Sequence, residues 1–542
     1  PQSGTLLARC AFRPDYSTHV AFADVDVRPR SFTTDRGEFL GRNGDVASPL
    51  GLAHTTLSEK SGSGFDPCAA LHVPLWVPAH GETEIVFLLG DATDSAQAQR
   101  LALHYREKKN VQVAWKATAV FWNQVTSGVT IRTPNAALDL LFNRWLPYQV
   151  LSCRMWARSG LYQSGGAYGF RDQLQDSLAL LYVLPLETRR HILRAAARQF
   201  PEGDVQHWWH PPSGAGVRTR FCDDFLWLPF VVEHYVRVTG DQGILDENVT
   251  FLRAPLLQPK QDEDYRVPEH SGDSASLYEH CLRALEHGLR FGVHGLPLMG
   301  RGDWNDGMNR VGSEGQGESV WCGWFLLAIV RDFAVLCEAR GDLERALGYR
   351  SQVEKLRSCL EENAWDGGWY RRAYFDNGQP LGSAENDECR IDSLPQAWAV
   401  ISKAGDPQRA RQAMAAVDEQ LVKQADQMVL LFTPPFDQGE LQPGYIKGYP
   451  PGIRENGGQY THAALWVAQA FALLGNADRA IAILDMLNPI QHTTDAKAIE
   501  LYRLEPYVVA ADIYSQPPHQ GRGGWSWYTG SAGWFYRVLL ET

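Results

Sequence analysis

What most limits the fold of this chain is a train of helix-period segments that starts near Ala136 and runs to the C-terminus. Over residues 136–156 the apolar Leu138, Leu141, Phe142 and Trp145 recur at the i, i+3, i+4, i+7 spacing of one helix face. Stretches of the same kind cover 188–199, 224–238, 276–291, 321–340, 343–363, 407–423, 461–475, 477–487 and 530–540. No strand pattern separates them, so residues 133–542 read as an all-α domain whose paired helices close into an (α/α)6 barrel. A solenoid would need a fixed repeat period, and the sequence has none. The intervening loops are long and rich in Gly, Pro, Trp and His, and such loops in a compact domain are uncommon unless functional.

The N-terminal part differs. Short β-favouring runs at 20–23, 71–77 and 84–89, set between Gly, Pro, Asp and Ser, predict a partial β-sandwich over 1–93. Helical segments at 95–106 and 111–125 then make residues 94–132 a helical linker. The fold class is thus mainly α, and 542 residues exceed what one ordinary core holds.

A net charge of -12 argues against nucleic acid or an anionic membrane as partner. No run approaches the roughly 20 apolar residues of a bilayer span. The start, Pro1 to Thr5, lacks the basic and apolar regions of a signal peptide, so the cytoplasm is the expected location. A chain that begins at Pro1 without Met is expected to be a piece of something longer. The nine cysteines form no Cys-x-x-Cys and read as reduced thiols. No His-Glu-x-x-His or comparable cluster is present, so neither a metal nor another cofactor is implied.

The chemistry is placed first on Gly300-Arg301-Gly302-Asp303-Trp304-Asn305-Asp306-Gly307-Met308-Asn309. Its glycines break helix and strand and let backbone approach a ligand. An indole offers a platform for a sugar, and a carboxylic acid beside it is partly desolvated, as a general acid requires. An Asx-rich surface turn is the plainer alternative. Trp208, Trp209, Trp304, Trp321, Trp324, Trp525 and Trp527, all near glycines or charges, hint at a carbohydrate cleft.

Four other stretches stand out. The glycine-rich run 163–176 lacks a preceding strand and a following Lys-Ser/Thr, which argues against a nucleotide loop. Its Asp172 either caps a helix or grips sugar hydroxyls. In 207–224, Asp223 and Asp224 suit the N-terminus of the next helix, and Arg218 with Arg220 suits an anion. His462, after Gly457-Gly458, and Thr529-Gly530-Ser531 both open helices, where free N–H groups can hold phosphate.

Together the segments 163–176, 302–309, 456–462 and 527–534 resemble glycoside hydrolase family 94, the inverting phosphorylases of β-linked glucosides. The wording of 164–173 and 505–512 is most similar to the β-1,2-glucan branch, that is, 1,2-β-oligoglucan phosphorylases and the phosphorylase-like region of cyclic β-1,2-glucan synthases. The resemblance implies a β-sandwich, a helical linker and an (α/α)6 barrel. It implies Asp306 as general acid, with Trp304, Arg171 and Asp172 at the transferred glucosyl unit and Tyr449 and Arg454 on the acceptor side. It also implies a phosphate site of Arg158, His462, Thr529 and Gly530. Inorganic phosphate is then a co-substrate, a β-glucan oligosaccharide and glucose 1-phosphate are the other partners, and the assembly is a homodimer or a larger synthase. Cellobiose phosphorylases carry an Arg where Gly166 stands and a Glu where Tyr445 stands, which favours another linkage here.

Three readings follow. The first is reversible phosphorolysis, where phosphate is the nucleophile and no carboxylate base is needed. The second is an inverting hydrolase with Asp303, Glu455 or Asp223 as base. The third is a non-catalytic glucan-binding or chain-length module of a synthase.

Overall fold

Val20–Val25, rich in β-branched and aromatic residues, forms the middle strand of an antiparallel sheet between Leu6–Ala8 and Phe87–Ala92. The computed structural model describes residues 4–12, 14–160, 165–258 and 261–542, and the chain falls into two units, Pro1–Asn123 and Gln124–Thr542. In the first unit a second pair, Ser31–Asp35 with Pro67–His72, is also antiparallel. Val20, Phe22 and Ala92 pack on Ala98 and Ala102 of helix Ser95–Tyr105, whose N-terminus is capped by Asp94. Asp24 is fully buried and is neutralised by Arg28, Arg30 and Arg106, the last at 2.7 Å. The strand expected over 71–77 stops at His72 because Pro74 and Pro78 cannot donate to a ladder, and Leu75, Trp76 and Val77 are exposed. The strand expected over 84–89 lies at Phe87–Ala92.

The second unit is mainly helical. Its core is a cluster of rings from four helices, Trp227–Thr239, Val320–Ala339, Ser393–Ile401 and Thr461–Leu473. Trp321 stacks on Phe325 at 5.3 Å, and Trp398 meets Trp466 edge-on at 5.2 Å. Helix Val320–Ala339 corrects one expectation: its 20 residues, with a mean hydropathy of 1.8, are long and apolar enough to cross a bilayer. Arg331, Asp332 and Glu338 hid the run in the sequence, and 83% of its most apolar stretch is buried inside the protein.

Strands do interrupt the helices, against expectation. Asp264–Arg266, Ala215–Arg218, Gln206–His210 and Tyr168–Gly169 form a four-stranded sheet, and Asn248–Arg253 pairs with Glu269–Ser276. Residues 206–210, with His and Gln among the tryptophans, lack the polar and apolar alternation that announces a strand. The helix expected over 136–156 is present but irregular, with π-helical turns at Leu141–Trp145 and Val150–Ala157 on either side of Leu146–Gln149. Pro147 lacks an N–H for the regular ladder, and π turns accommodate such breaks. The segment ends at Arg158 in the left-handed conformation, φ 51°.

Candidate active site

Gly300 and Gly302 both have positive φ, and a side chain on either would meet Arg220 O at 2.2 Å or a Phe221 ring carbon at 2.3 Å. Glycine therefore lets this loop lie flat on the Arg220–Phe221 backbone. The next residue, Asp303, turns inward and is fully buried, accepting two 2.6 Å bonds from Arg372, one of 2.6 Å from Ser319 and one from Asn305 N. Burial works against its charge, but Arg372 outweighs that and holds the carboxyl below the usual range. Asn305 then accepts from Gly307 N and starts a short 3-10 turn, Asp306–Met308. These bonds set Asp306 on the wall of a cavity of about 340 Å³, with its side chain 35% exposed.

Three other segments supply much of the remaining lining of that cavity. Helix Phe170–Leu180 contributes Arg171, Asp172 and Gln175. Its N-terminus has no side-chain cap, so Asp172 is not the capping residue and is free to face the cleft. Arg171 is a hub: it donates to both oxygens of Asp223 at 3.0 and 3.1 Å, to Asp303 O at 2.8 Å, and to Asp306 Oδ1. Asp223 and Asp224, expected as helix caps, make no capping bond and instead surround Arg171 and His207. Arg218 and Arg220 do not form an anion site, since Arg218 pairs with Asp204 and Glu202, and Arg220 donates to the carbonyls of Leu257 and Gln258.

The second segment is the start of helix Thr461–Leu473. Asn456 bonds to Phe436 and Tyr449 and fixes the turn, after which His462 lies between the rings of Trp304, Trp466 and Trp534, at 5.4, 4.5 and 5.6 Å. Burial pushes the imidazole down to about 3, so the ring is neutral, and its Nε2 has no partner among the described residues. The third segment is the entry to helix Ser531–Glu541, with Tyr528, Thr529 and Gly530. A methyl group on Gly530 would lie 3.7 Å from Asp176 Oδ1 and 3.9 Å from both Arg154 Nη2 and His462 Nδ1. Three polar groups from three segments therefore converge on Gly530.

Of the residues expected at the phosphate site, His462, Thr529 and Gly530 come together and Arg158 does not. Its guanidinium donates to the carbonyls of Gly166, Met155 and Trp156 and lies over Tyr168 at 4.1 Å. Arg154 lines the cavity instead, bonding Asp172 at 3.0 Å and Asp176 at 2.7 Å, with Tyr528 over its plane at 4.1 Å. The resemblance points to an arginine shortly before the glycine-rich loop, and of the two that fit, Arg154 within the π-helical segment Val150–Ala157 lines the cavity. Burial disfavours the Asp172 carboxylate, but Arg154 and Arg171 prevail and hold it low. For Asp176 burial prevails and, with Asp172 nearby, raises it to about 6. Gln163 and Ser164 lie outside the described residues.

Arg454 lines the cavity in a left-handed conformation, φ 52°, with its guanidinium over Tyr449 and Trp525 at 4.9 and 5.6 Å. Tyr449 meets the site through that contact. Glu455 also lines the cavity, and burial raises its carboxyl against the pull of Arg454. Of the tryptophans expected in a ligand cleft, Trp304 and Trp525 line the cavity, whereas Trp209, Trp321 and Trp324 are core. Among the described residues, no three His, Cys, Asp or Glu side chains are grouped so as to hold a metal ion.

Residues 121–542 match the catalytic domain of the glycosyl hydrolase 94 superfamily, and residues 1–108 match the glycosyl hydrolase 94 supersandwich domain. The chain belongs to glycosyl hydrolase family 94. It is 48% identical over 99% of its length to the cyclic β-(1,2)-glucan synthase NdvB of Rhizobium meliloti, of which it covers 19%. It is 28% identical to the N,N'-diacetylchitobiose phosphorylase of Vibrio proteolyticus over 95% of the chain, and 28% identical to the solabiose phosphorylase of Paenibacillus borealis over 96%. The chain spans 64% of each phosphorylase's length.

Proposed function

We propose that this chain carries out inverting, reversible phosphorolysis of a β-1,2-linked glucan, releasing α-glucose 1-phosphate, on helices arranged as an (α/α)6 barrel. The observation that carries this reading is the convergence of Arg154 and His462 on Gly530, in the same cavity as Asp306. Phosphate sits against Arg154, His462 and the Thr529–Gly530 backbone, and attacks the anomeric carbon of a glucosyl unit gripped by Asp172 and Trp304. Asp306 protonates the departing glycosidic oxygen, and Arg454 with Tyr449 supports the acceptor. Displacement from the opposite face turns the β-linkage into the α-phosphate, and phosphate needs no base to activate it.

The β-1,2 linkage rests on the similarity to the glucan synthase, and the place of the chain within a larger synthase rests on the 19% of that protein it covers. There it would trim or extend glucan chains, and the cytoplasm remains the proposed compartment. One observation favours hydrolysis as a second reading: Glu455 lines the cavity, and its Oε2 has no hydrogen-bond partner among the described residues, with Arg454 Nε 3.4 Å away. Asp303 and Asp223 are unsuited to the base role, each being held by a buried arginine. The test is phosphate release from α-glucose 1-phosphate with β-1,2, β-1,3 and β-1,4 oligoglucosides as acceptors, together with product analysis in the glucan-degrading direction. Release with the β-1,2 acceptor is expected, and free glucose formed equally fast without phosphate would overturn the proposal in favour of Glu455 as base.

A further inference from the structure

The segment 207–224 takes no part in the reaction as described so far, yet it places a second titratable group against the acid. His207, in strand Gln206–His210, has its Nδ1 2.8 Å from Asp224 Oδ2 and its Nε2 3.8 Å from Asp306 Oδ2. The ring lies flat on Phe221, with centroids 4.7 Å apart and planes 14° apart. Asp224 is buried, and the His207 side chain is only 13% exposed. Arg171 occupies the other oxygen of Asp306, so Oδ2 is the oxygen that faces the imidazole.

We propose that His207, oriented by Asp224, is a positioning residue that stores the proton used by Asp306 and returns it between turnovers. This rests on Asp306 being the acid of the reaction proposed above. In the degrading direction the His207 Nε2–H bond breaks and the proton passes to Asp306 Oδ2. The acid O–H then breaks as the glycosidic oxygen takes the proton and the electron pair of its bond to the anomeric carbon. Phosphate, arriving as HPO4 dianion, has meanwhile bonded to that carbon. The glucosyl phosphate formed sheds its remaining proton to solvent, and neutral His207 takes one from solvent, so protons and charge balance. In synthesis the same path runs backwards, with Asp306 as base. The 3.8 Å gap is of the kind that closes once substrate is bound.

The charged groups facing His207 are Asp224, Asp306, Arg171 and Asp172. Burial and Arg171 oppose a proton on the ring, but Asp224 and Asp306 prevail and raise it to about 9. His207 thus holds its proton at neutral pH, as a store must.

The test compares wild type with His207→Gln and with His207→Asn, whose shorter amide can still donate to Asp224, so that one misfolded variant does not end the experiment. Each is assayed with phosphate on a β-1,2-oligoglucan and on a β-glucoside whose 2,4-dinitrophenolate leaving group needs no proton. Glucan kcat should fall about 100-fold, with KM for phosphate unchanged and the activated donor within about threefold. The basic limb near pH 9 of the wild-type profile should vanish. Equal losses on both donors, or no loss on either, would overturn the role. The two readings fail separately, because leaving-group selectivity reports proton delivery whereas dependence on phosphate reports the nucleophile.

Discussion

Replacing Arg154 with lysine, alongside the same change at Arg158, tests which arginine serves phosphate. Arg154 divides its guanidinium between Asp176, at 2.7 Å from Nε, and Asp172, at 3.0 Å from Nη2, and Nη2 also lies nearest Gly530. Lysine keeps the charge, so neither buried carboxylate is stranded, but a compact ammonium cannot reproduce the planar fork. It gives up at least one charge-assisted hydrogen bond, about 1.5–3 kcal/mol, which is about 10- to 150-fold in an equilibrium constant. KM for phosphate in Arg154→Lys should rise by that factor, with a smaller change in KM for glucan through Asp172. Among the described residues Arg158 bonds backbone carbonyls and lies over Tyr168, so Arg158→Lys should alter KM for phosphate less than about threefold. Initial rates at varied phosphate, with intact folding checked by thermal unfolding, provide the measurement. A rise confined to Arg158→Lys would refute the assignment and return phosphate to the position expected from the sequence.

Gly530 has an ordinary φ of -66°, and an added methyl meets its neighbours at van der Waals distance, so Gly530→Ala should fold with unchanged Tm yet raise KM for phosphate by occupying the space between Arg154 and His462. Asp306→Asn should abolish turnover of unactivated glucan while leaving Tm within a few degrees, and a variant that keeps most of its rate would remove Asp306 from the acid role. Asp303→Asn should do the opposite kind of damage, costing about 1.5–3 kcal/mol in denaturant unfolding, because Arg372 loses a charge-assisted pair and keeps only Asp392. The buried histidines should also make stability sensitive to acid. His462 and His191 are held near 3 in the folded protein against 6.5 unfolded, so the unfolded chain binds more protons between those values, and the stability they confer is lost as pH drops below about 6.5. His280, held near 4, adds to this loss, while Asp176 and Asp392, raised to about 6, and Asp223, raised to about 7, have the opposite sign and offset much of it. Denaturation midpoints measured from pH 7 to pH 4 should therefore fall more steeply with acid in wild type than in His462→Gln.

The helices were legible because their apolar faces recur over many turns, and 343–363 and 477–487 fall where periodicity puts them. The asymmetry within Asp-Trp-Asn-Asp was legible only in part. The sequence shows two acids flanking an indole, and assigning one to turn-shaping and the other to chemistry followed from family resemblance. That Asp303 is buried on Arg372 needed three dimensions, since the two stand 69 positions apart. Sequence reading was least able to find Arg154 and the hairpin strands. A π turn leaves no periodic signature, and Gln206–His210 pairs with strands whose registry is set by tertiary contacts rather than by its own alternation.

The three buried arginines of the site share one pattern: each is divided between two or more carboxylates. Arg372 is shared between Asp303 and Asp392, Arg171 among Asp223, Asp224 and Asp306, and Arg154 between Asp172 and Asp176. Buried ion pairs contribute little net stability, because desolvation offsets their attraction. What they do here is fix direction. Arg372 anchors the inward half of the acid loop, Arg171 aims its outward half, and Arg154 turns Asp172 toward the cavity. Because Asp176 is raised to about 6, its pair with Arg154 loses negative charge only as pH falls through that value. Below that pH Arg154 is left with one charged carboxylate, Asp172, and its Nη2 and the neutral ring of His462 both lie 3.9 Å from a methyl group placed on Gly530. Asp176→Asn, which makes that reduction permanent, should keep phosphate binding and weaken its dependence on pH between about 5 and about 7, whereas loss of phosphate binding in this variant would mean that the carboxylate, not its neutralisation, is what the site requires.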